Sequence, residues 1–397
     1  MSIKEAENFL SRGIENVFPS KEAFIKVFGG EKKLSIYLGI DPTGPTLHMG
    51  HAIPLMKLGE LQRMGHQIIL LMGDFTAMIG DPTDKLATRK QLSKKDVLNN
   101  LKLYKKQAST FLSFSGKNKA LIKFNSKWLA KMKFSEVIEL ASKVTVDQML
   151  KRDMFRERMD GGKPVYMHEF LYPLMQGFDS VVMDVDGEIG GNDQTFNMLT
   201  GRDLMKSLKN KDKFVIATKL LVDSSGKKMG KTEGNMITFA DGPSDMFGKV
   251  MSWPDSMIIP GFELSTYISL EEIEKEKQFL VGGNPRDAKL RLAHAIVSIY
   301  HGTKAADKAQ EEFRTAFSSG GIPGDTLTVS VNLNTPLVDI LIANNIVTSK
   351  TEFHRLVSQQ AVRNLILGDW VSHHDFKVAS NLDLKVGKHR FIKIRVK

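Results

Sequence analysis

The chain has no cysteine. That excludes disulfides and thiolate zinc sites and fits a protein of the reducing cytoplasm. It has no run of about 18 apolar residues, so no membrane-spanning helix is expected. The first residues, Met1-Ser2-Ile3-Lys4-Glu5-Ala6-Glu7, alternate in charge and lack the apolar core of a signal peptide. No internal repeat is visible, and no dedicated cluster of metal ligands. What is present is an ordinary share of core-forming residues, 42% apolar, in 397 residues, enough for two or three domains. The formal charge of +11 points to a polyanionic partner.

One stretch, Tyr37 to His51, organises the rest. Ser35 to Ile40 is short and rich in strand formers, and Asp41 to Thr46 carries two prolines, a glycine and two threonines, which is loop chemistry. A helix-favouring run begins near His48 with Ile53, Leu55, Met56, Leu58 and Leu61. A strand, a tight loop and a helix N-terminus make an anion site, because free backbone N–H groups and the helix dipole point at the ligand. His48 and His51 share the first turn and one face. Gly50 between them lets a ligand approach the backbone.

The pattern around this stretch predicts an α/β fold with a Rossmann-like, doubly wound parallel sheet. Residues 1 to 33 read as a helical entry, with Ala6, Phe9, Leu10, Ile14 and Val17 at helical spacing. His66 to Asp74 reads as the next strand, Ala120 to Phe124 as another, and the sheet is expected to resume at Ser180–Val185 and Lys213–Ala217. A helical insertion is expected at about 82–180, completing a nucleotide-binding domain over 1–240. Residues 241–325 read as helical and end in the glycine-rich linker Ser318–Asp325. The last domain, 335–397, is small, α+β and basic, with ten basic against five acidic residues. Phe391 to Lys397 alternates apolar and basic residues, as a strand with one basic face does.

Three further constellations carry chemistry. Asp223 to Thr232 combines glycines with Lys227, Lys228 and Lys231, either a solvated basic loop or a mobile phosphate-binding loop. Tyr172, Gln176 and Asp179 share one face of a helix within an apolar segment, and polar groups so placed are satisfied by protein or by ligand. Gly190-Gly191-Asn192-Asp193-Gln194 opens a helix, as a capped glycine turn or as a close-approach site for a ligand. Lys85 and Arg89 follow the Asp81-Pro82 turn as an ordinary basic loop or as phosphate contacts.

Together the His48–His51 pair and the lysine run resemble the two signatures of the class I aminoacyl-tRNA synthetases, and the lead-in Tyr37-x-Gly39-x-Asp41-Pro42-Thr43 resembles the tyrosyl branch. The lysine run departs from that family in placing Gly230 and Thr232 where serines are usual. The resemblance covers nearly the whole chain and implies ATP-dependent activation of tyrosine followed by its transfer to tRNA(Tyr). Thr43, His48, His51, Lys228 and Lys231 are then the catalytic residues. Gly39, Asp41, Gly50, Gly191, Asp193 and Lys231 would bind ATP. Tyr172, Gln176 and Asp81 would hold the substrate α-amino group, Tyr37 and Asp179 its phenolic hydroxyl, and Gln194 its carboxylate, with Asn125 nearby. Lys85 and Arg89 would meet pyrophosphate or the tRNA acceptor end. The resemblance further implies a cytoplasmic homodimer formed through the inserted helices. Its helical segment at 241–325 would serve the anticodon region of tRNA, and residues 335–397 resemble a small ribosomal-protein RNA-binding domain. No tightly bound cofactor is expected, and Mg2+ would arrive with ATP. A tryptophan-specific ligase, a small-molecule adenylyltransferase and a catalytically silent RNA-binding relative are the rival readings.

Overall fold

Short apolar runs bounded by turn residues build two sheets in the computed structural model of the chain, which is described over residues 2–82, 92–150, 152–222, 236–318, 326–366, 369–387 and 390–396. The chain divides into two compact units, Met1–Asp241 with Trp253–Ala288, and Gly242–Ser252 with Lys289–Lys397. Residues 253–288 of the segment expected to begin at 241 therefore pack with the first unit.

The sheet of the first unit contains β1 (Ile14–Phe18), β2 (Ser35–Ile40), β3 (Gln67–Met72), β4 (Leu121–Phe124), β5 (Gly187–Gly191) and β6 (Phe214–Thr218). Their order is β1-β6-β5-β2-β3-β4. All neighbours run parallel except β1, which lies antiparallel on β6. Ile68 to Met72 is buried without alternation, as expected of a parallel strand covered on both faces. From β2 the chain runs outward to β3 and β4, then crosses to β5 and β6 on the other side. The order thus reverses between β2 and β5, and ligands of such sheets bind beyond the strand C-termini at that reversal. Asp41 after β2 and Asn192–Gln194 after β5 stand there.

The helical insertion holds the helices Lys94–Leu101, Tyr104–Ala108, Phe134–Ala141, Val146–Leu150 and Asp153–Asp160, together with the edge strand β4. Two expectations need correction. Ile14 and Val17 lie on β1, between the helices Ile3–Ser11 and Lys21–Phe28. Gly13, at φ +68°, ends the helical path, Ser20 caps the next helix, and pairing with β6 makes the segment between them a strand. Ser180–Val185 is not a strand either, because Ser180–Met183 closes the helix Met167–Met183. Val181 packs in a cluster with Leu174, Leu204 and Met205, and the helix stops at Asp184 in a left-handed conformation, φ 51°. The strand is instead Gly187–Gly191, whose weak strand propensity is overridden by pairing with β2 and β6 on its two sides.

In the second unit the helix Pro243–Met251 packs on Thr303–Ser318, with the Phe247 and Phe313 rings 5.5 Å apart. A four-stranded sheet follows, β7 (Thr328–Val331), β8 (Val362–Asn364), β9 (Leu382–Val386) and β10 (Arg390–Val396), in the order β7-β10-β9-β8. This domain thus begins before 335, because β7 pairs parallel to β10. Its own core includes Leu337, Leu341, Phe353, Leu384, Ile392 and Ile394. Ile392 and Ile394 face that core, while Lys393 and Arg395 lie on the opposite face of β10. The glycine-rich linker is outside the described residues except for Ser318.

Candidate active site

His48 is the N-cap of the helix Met49–Arg63. Its Nδ1 accepts the Gly50 N–H at 3.2 Å, and Nδ1 of His51 accepts the His48 N–H at 3.2 Å. A ring nitrogen that accepts carries no proton, so both neutral imidazoles hold theirs on Nε2. The two rings lie 3.9 Å apart and present N–H donors at a helix N-terminus. A Cβ on Gly50 would stand 3.0 Å from the His48 ring. Thr43 is exposed in the loop between, and its N–H bonds the Asp41 carbonyl at 2.8 Å. Gly39 is exposed at the end of β2, and a Cβ there would meet nothing nearer than 3.8 Å, so the space beside it is open.

Lys228 and Lys231 lie outside the described residues, as do Lys85 and Arg89. The chain on either side of the lysine run is nevertheless tied down. It leaves β6 at Thr218 and returns to pair with the histidine turn, through Met49 N–H to the Ile237 carbonyl and Phe239 N–H to the Leu47 carbonyl, both 3.0 Å.

Beyond β2 and β3 the structure gathers carboxylates. Asp41 accepts the Thr76 hydroxyl at 2.7 Å and the Tyr172 hydroxyl at 2.9 Å. Burial pushes its pKa up to about 7, the two hydroxyl donors oppose that rise, and the charges of Asp81 and Asp74 add to it. Asp81 accepts from Gln194 Nε2 at 2.7 Å and stands 3.6 Å from the buried Arg152 guanidinium. A cationic ligand group beside Asp41 and Asp81 would offset their mutual repulsion, so the chemistry of this corner suits an ammonium. Asp193 sits in the 3-10 turn Asn192–Gln194, and a Cβ on Gly191 would lie 2.5 Å from its carboxylate.

The helix Met167–Met183 supplies the facing wall. Asp179 is buried and accepts from Trp128 Nε1 at 2.7 Å and Asn125 Nδ2 at 3.2 Å. Burial raises it well above the usual carboxylate range, against these two donors. Tyr37 is buried on β2, and its hydroxyl lies 2.9 Å from the Ser180 hydroxyl. Burial, then the charges of Glu188 and Asp179, raise the Tyr37 phenol. Gln176 Nε2 donates to Glu188 at 2.9 Å. The structure therefore links Tyr172 to Asp41, Gln194 to Asp81 and Asn125 to Asp179. It directs Tyr37 and Gln176 to Ser180 and Glu188, which sequence reasoning did not single out. Thr76, Arg152 and Lys213 escaped it too. Glu188 was not legible because Gly187–Gly191 did not read as a strand; once pairing makes it a buried strand, its charge requires a partner.

Among the described residues no group of three or more His, Asp or Glu is arranged to hold a metal ion, and no helix is long and apolar enough to cross a membrane. A family model described as tRNA synthetases class I (W and Y) matches residues 30–318. The chain is 41% identical to tyrosine–tRNA ligase 2 of Vibrio parahaemolyticus over 100% of both chains. It is 40% identical to tyrosine–tRNA ligase of Carboxydothermus hydrogenoformans over 99% of this chain and 98% of that one. Among solved structures, the truncated mitochondrial tyrosyl-tRNA synthetase of Coccidioides posadasii superposes with a TM-score of 0.64 at 25% identity, covering 78% of this chain and 94% of that one. With a sheet that reverses between β2 and β5, a paired-histidine helix cap at that reversal, and likeness of this extent, the chain belongs to the tyrosine–tRNA ligases of the class I synthetase family.

Proposed function

We infer that the chain activates tyrosine with ATP and transfers the tyrosyl group to the 3′ end of tRNA(Tyr). The observation that carries this reading is a carboxylate corner, Asp41 with Asp81, and a buried wall, Tyr37 with Asp179, in the same sheet domain as the histidine cap. The substrate carboxylate attacks the α-phosphate of ATP and pyrophosphate leaves. That carboxylate is already an anion, so no general base is needed, and catalysis comes from positioning and from donors aimed at phosphate charge. The Nε2–H groups of His48 and His51, with Thr43, Lys228 and Lys231, are those donors. Gly39, Gly50 and Gly191 leave room for the nucleotide, whose ribose Asp193 accepts. Tyr172, Gln176 and Asp81 hold the ammonium, Tyr37 and Asp179 the phenol, and Gln194 the carboxylate. Asp41, assigned to ATP by motif, also lies beside the ammonium through its bond to Tyr172. Mg2+ is carried in with ATP. Lys85 and Arg89 meet pyrophosphate or the tRNA acceptor end.

Tyrosine-dependent exchange of pyrophosphate into ATP, followed by charging of tRNA(Tyr), tests this. Exchange driven by tryptophan and not tyrosine would overturn it. A ligase of this type works where tRNA and ATP are, in the cytoplasm. Residues 241–325 serve the anticodon region of tRNA, and the small basic domain at 335–397, with β7 added to its sheet, binds RNA. A homodimer through the inserted helices would cover Phe134, Val146 and Met167, which stand 80%, 70% and 78% exposed on helices of that region. Sedimentation should give twice the chain mass, and Phe134→Glu should shift it toward the monomer. A parent that sediments as a monomer would exclude this assembly.

A further inference from the structure

Behind the wall that faces the substrate lies a buried ion pair. Glu188 is 1% and Lys213 0% exposed, and their side chains are in direct contact. The sheet explains how they meet. Glu188 registers with Tyr37 of β2 on one side and Val215 of β6 on the other, and Lys213 immediately precedes β6. Lys213 Nζ reaches the helix Met167–Met183 and donates to Ser180 Oγ at 2.9 Å. Ser180 Oγ lies 2.9 Å from the Tyr37 hydroxyl. The other Glu188 oxygen accepts from Gln176 Nε2 at 2.9 Å. Room for the ammonium exists because the neighbouring helix Thr195–Lys209 carries Gly201 there, where a Cβ would lie 2.6 Å from Nζ.

A buried ion pair is no more stabilising than a well-packed apolar pair of the same volume, so stability does not account for this one. What it does supply is direction. A carboxylate only accepts and an ammonium only donates. We propose that Lys213 and Glu188 are positioning residues that set the hydrogen-bond polarity of the tyrosine site at both ends. Facing Glu188, the Gln176 carboxamide must turn its NH2 inward, which leaves its carbonyl oxygen as the acceptor an ammonium requires. Facing Lys213, Ser180 Oγ accepts, and its own hydrogen goes to the Tyr37 oxygen. The Tyr37 hydrogen is then left for an acceptor, Glu188 within the protein or the phenolic oxygen of the substrate when it is bound, while Asp179 accepts the substrate's hydroxyl proton. Such chains polarise one another in a low-dielectric interior.

This inference rests on the ligase reading above, and the test separates the two. Glu188→Gln and Ser180→Ala are nearly isosteric and cut one limb each. Pyrophosphate exchange is measured with tyrosine and with phenylalanine, and circular dichroism and thermal melting report folding. Glu188→Gln should raise the tyrosine KM about tenfold while the ATP KM stays within twofold. Ser180→Ala should lower the tyrosine-to-phenylalanine ratio of kcat/KM by about three- to tenfold, again with the ATP KM unchanged. Folded variants that melt earlier yet keep the tyrosine KM and the ratio within twofold of the parent would make the pair merely structural and overturn the inference. An unfolded Glu188→Gln is replaced by the neutral pair Glu188→Gln/Lys213→Met, for which both effects are expected. Should that also fail to fold, Ser180→Ala alone decides. A parent without tyrosine-dependent exchange overturns the ligase reading itself.

Discussion

Asp179 is a buried carboxylate and Asp41 a half-buried one, and their partners assign them different tasks. Asp179 already accepts from Trp128 and Asn125, and a phenol would add a donor to an acceptor that still has capacity. Phenylalanine fills the same volume but adds no donor to this buried carboxylate, which is costly. Asp179→Ala removes that cost, so the tyrosine-to-phenylalanine ratio of kcat/KM in exchange should fall by tenfold or more. A folded variant that keeps the parent ratio would mean the hydroxyl is read elsewhere. Asp41 carries a pH signature. Its pKa is about 7 in the folded chain, against an ordinary value of 3.8. Between those values the folded state holds a proton that the unfolded state has released, so stability falls as pH rises from about 4 to 7. Asp41→Asn abolishes this fall. The melting temperature of the variant, less that of the parent, should therefore grow across this range and level off above it. The ceiling is about 4 kcal/mol, from about 1.4 kcal/mol per pKa unit. A difference that stays flat with pH would contradict the raised pKa.

The helix that carries Tyr172, Gln176 and Asp179 is placed by its crossing with Thr195–Lys209, where two glycines meet. A Cβ on Gly177 would lie 2.8 Å from Leu204 Cδ1 and 3.1 Å from the Gly201 backbone. Gly177→Ala should therefore cost roughly 1–3 kcal/mol and raise the tyrosine KM, because the helix must shift to admit the methyl group. Gly248, inside the helix Pro243–Met251, is different, since a Cβ there would have nothing within 4 Å. Gly248→Ala should stabilise the chain by about 0.4–1 kcal/mol, because it reduces the freedom of the unfolded chain only. Thermal melts of the two variants should move in opposite directions, and a shared direction would refute the contact argument. At this scale the sequence was informative where an apolar run is bounded by turn residues. β2, β3 and the helix Met49–Arg63 are where pattern and turn residues put them. β1 and β5 were not legible, since one borrows its identity from pairing with β6 and the other is a glycine-rich segment made a strand by two neighbours.

Across the whole molecule, the domain from β7 onward has a core of its own, which includes Leu337, Phe353 and Ile394. Removing residues 319–397 should leave tyrosine-dependent exchange within about twofold and reduce charging at limiting tRNA by an order of magnitude or more. Charging by the full chain should also weaken more steeply with salt, because phosphate contacts release counterions. Undiminished charging by the shortened chain would remove this domain from tRNA recognition.

What the sequence by itself determined lies close together along the chain. A strand, a Pro-Thr turn and a histidine-capped helix within Ser35–Arg63 follow from local backbone rules, so the strand-loop-helix corner and its paired-histidine cap were legible there. Only the tertiary structure decided the partners: Tyr172 with Asp41 across 131 positions, Tyr37 with Ser180 across 143, and Glu188 with Lys213 across 25. Sequence spacing does not encode which strands become neighbours or which helix crosses them. A buried hydroxyl, amide or charge acquires its direction only from the group that packing brings within hydrogen-bond reach.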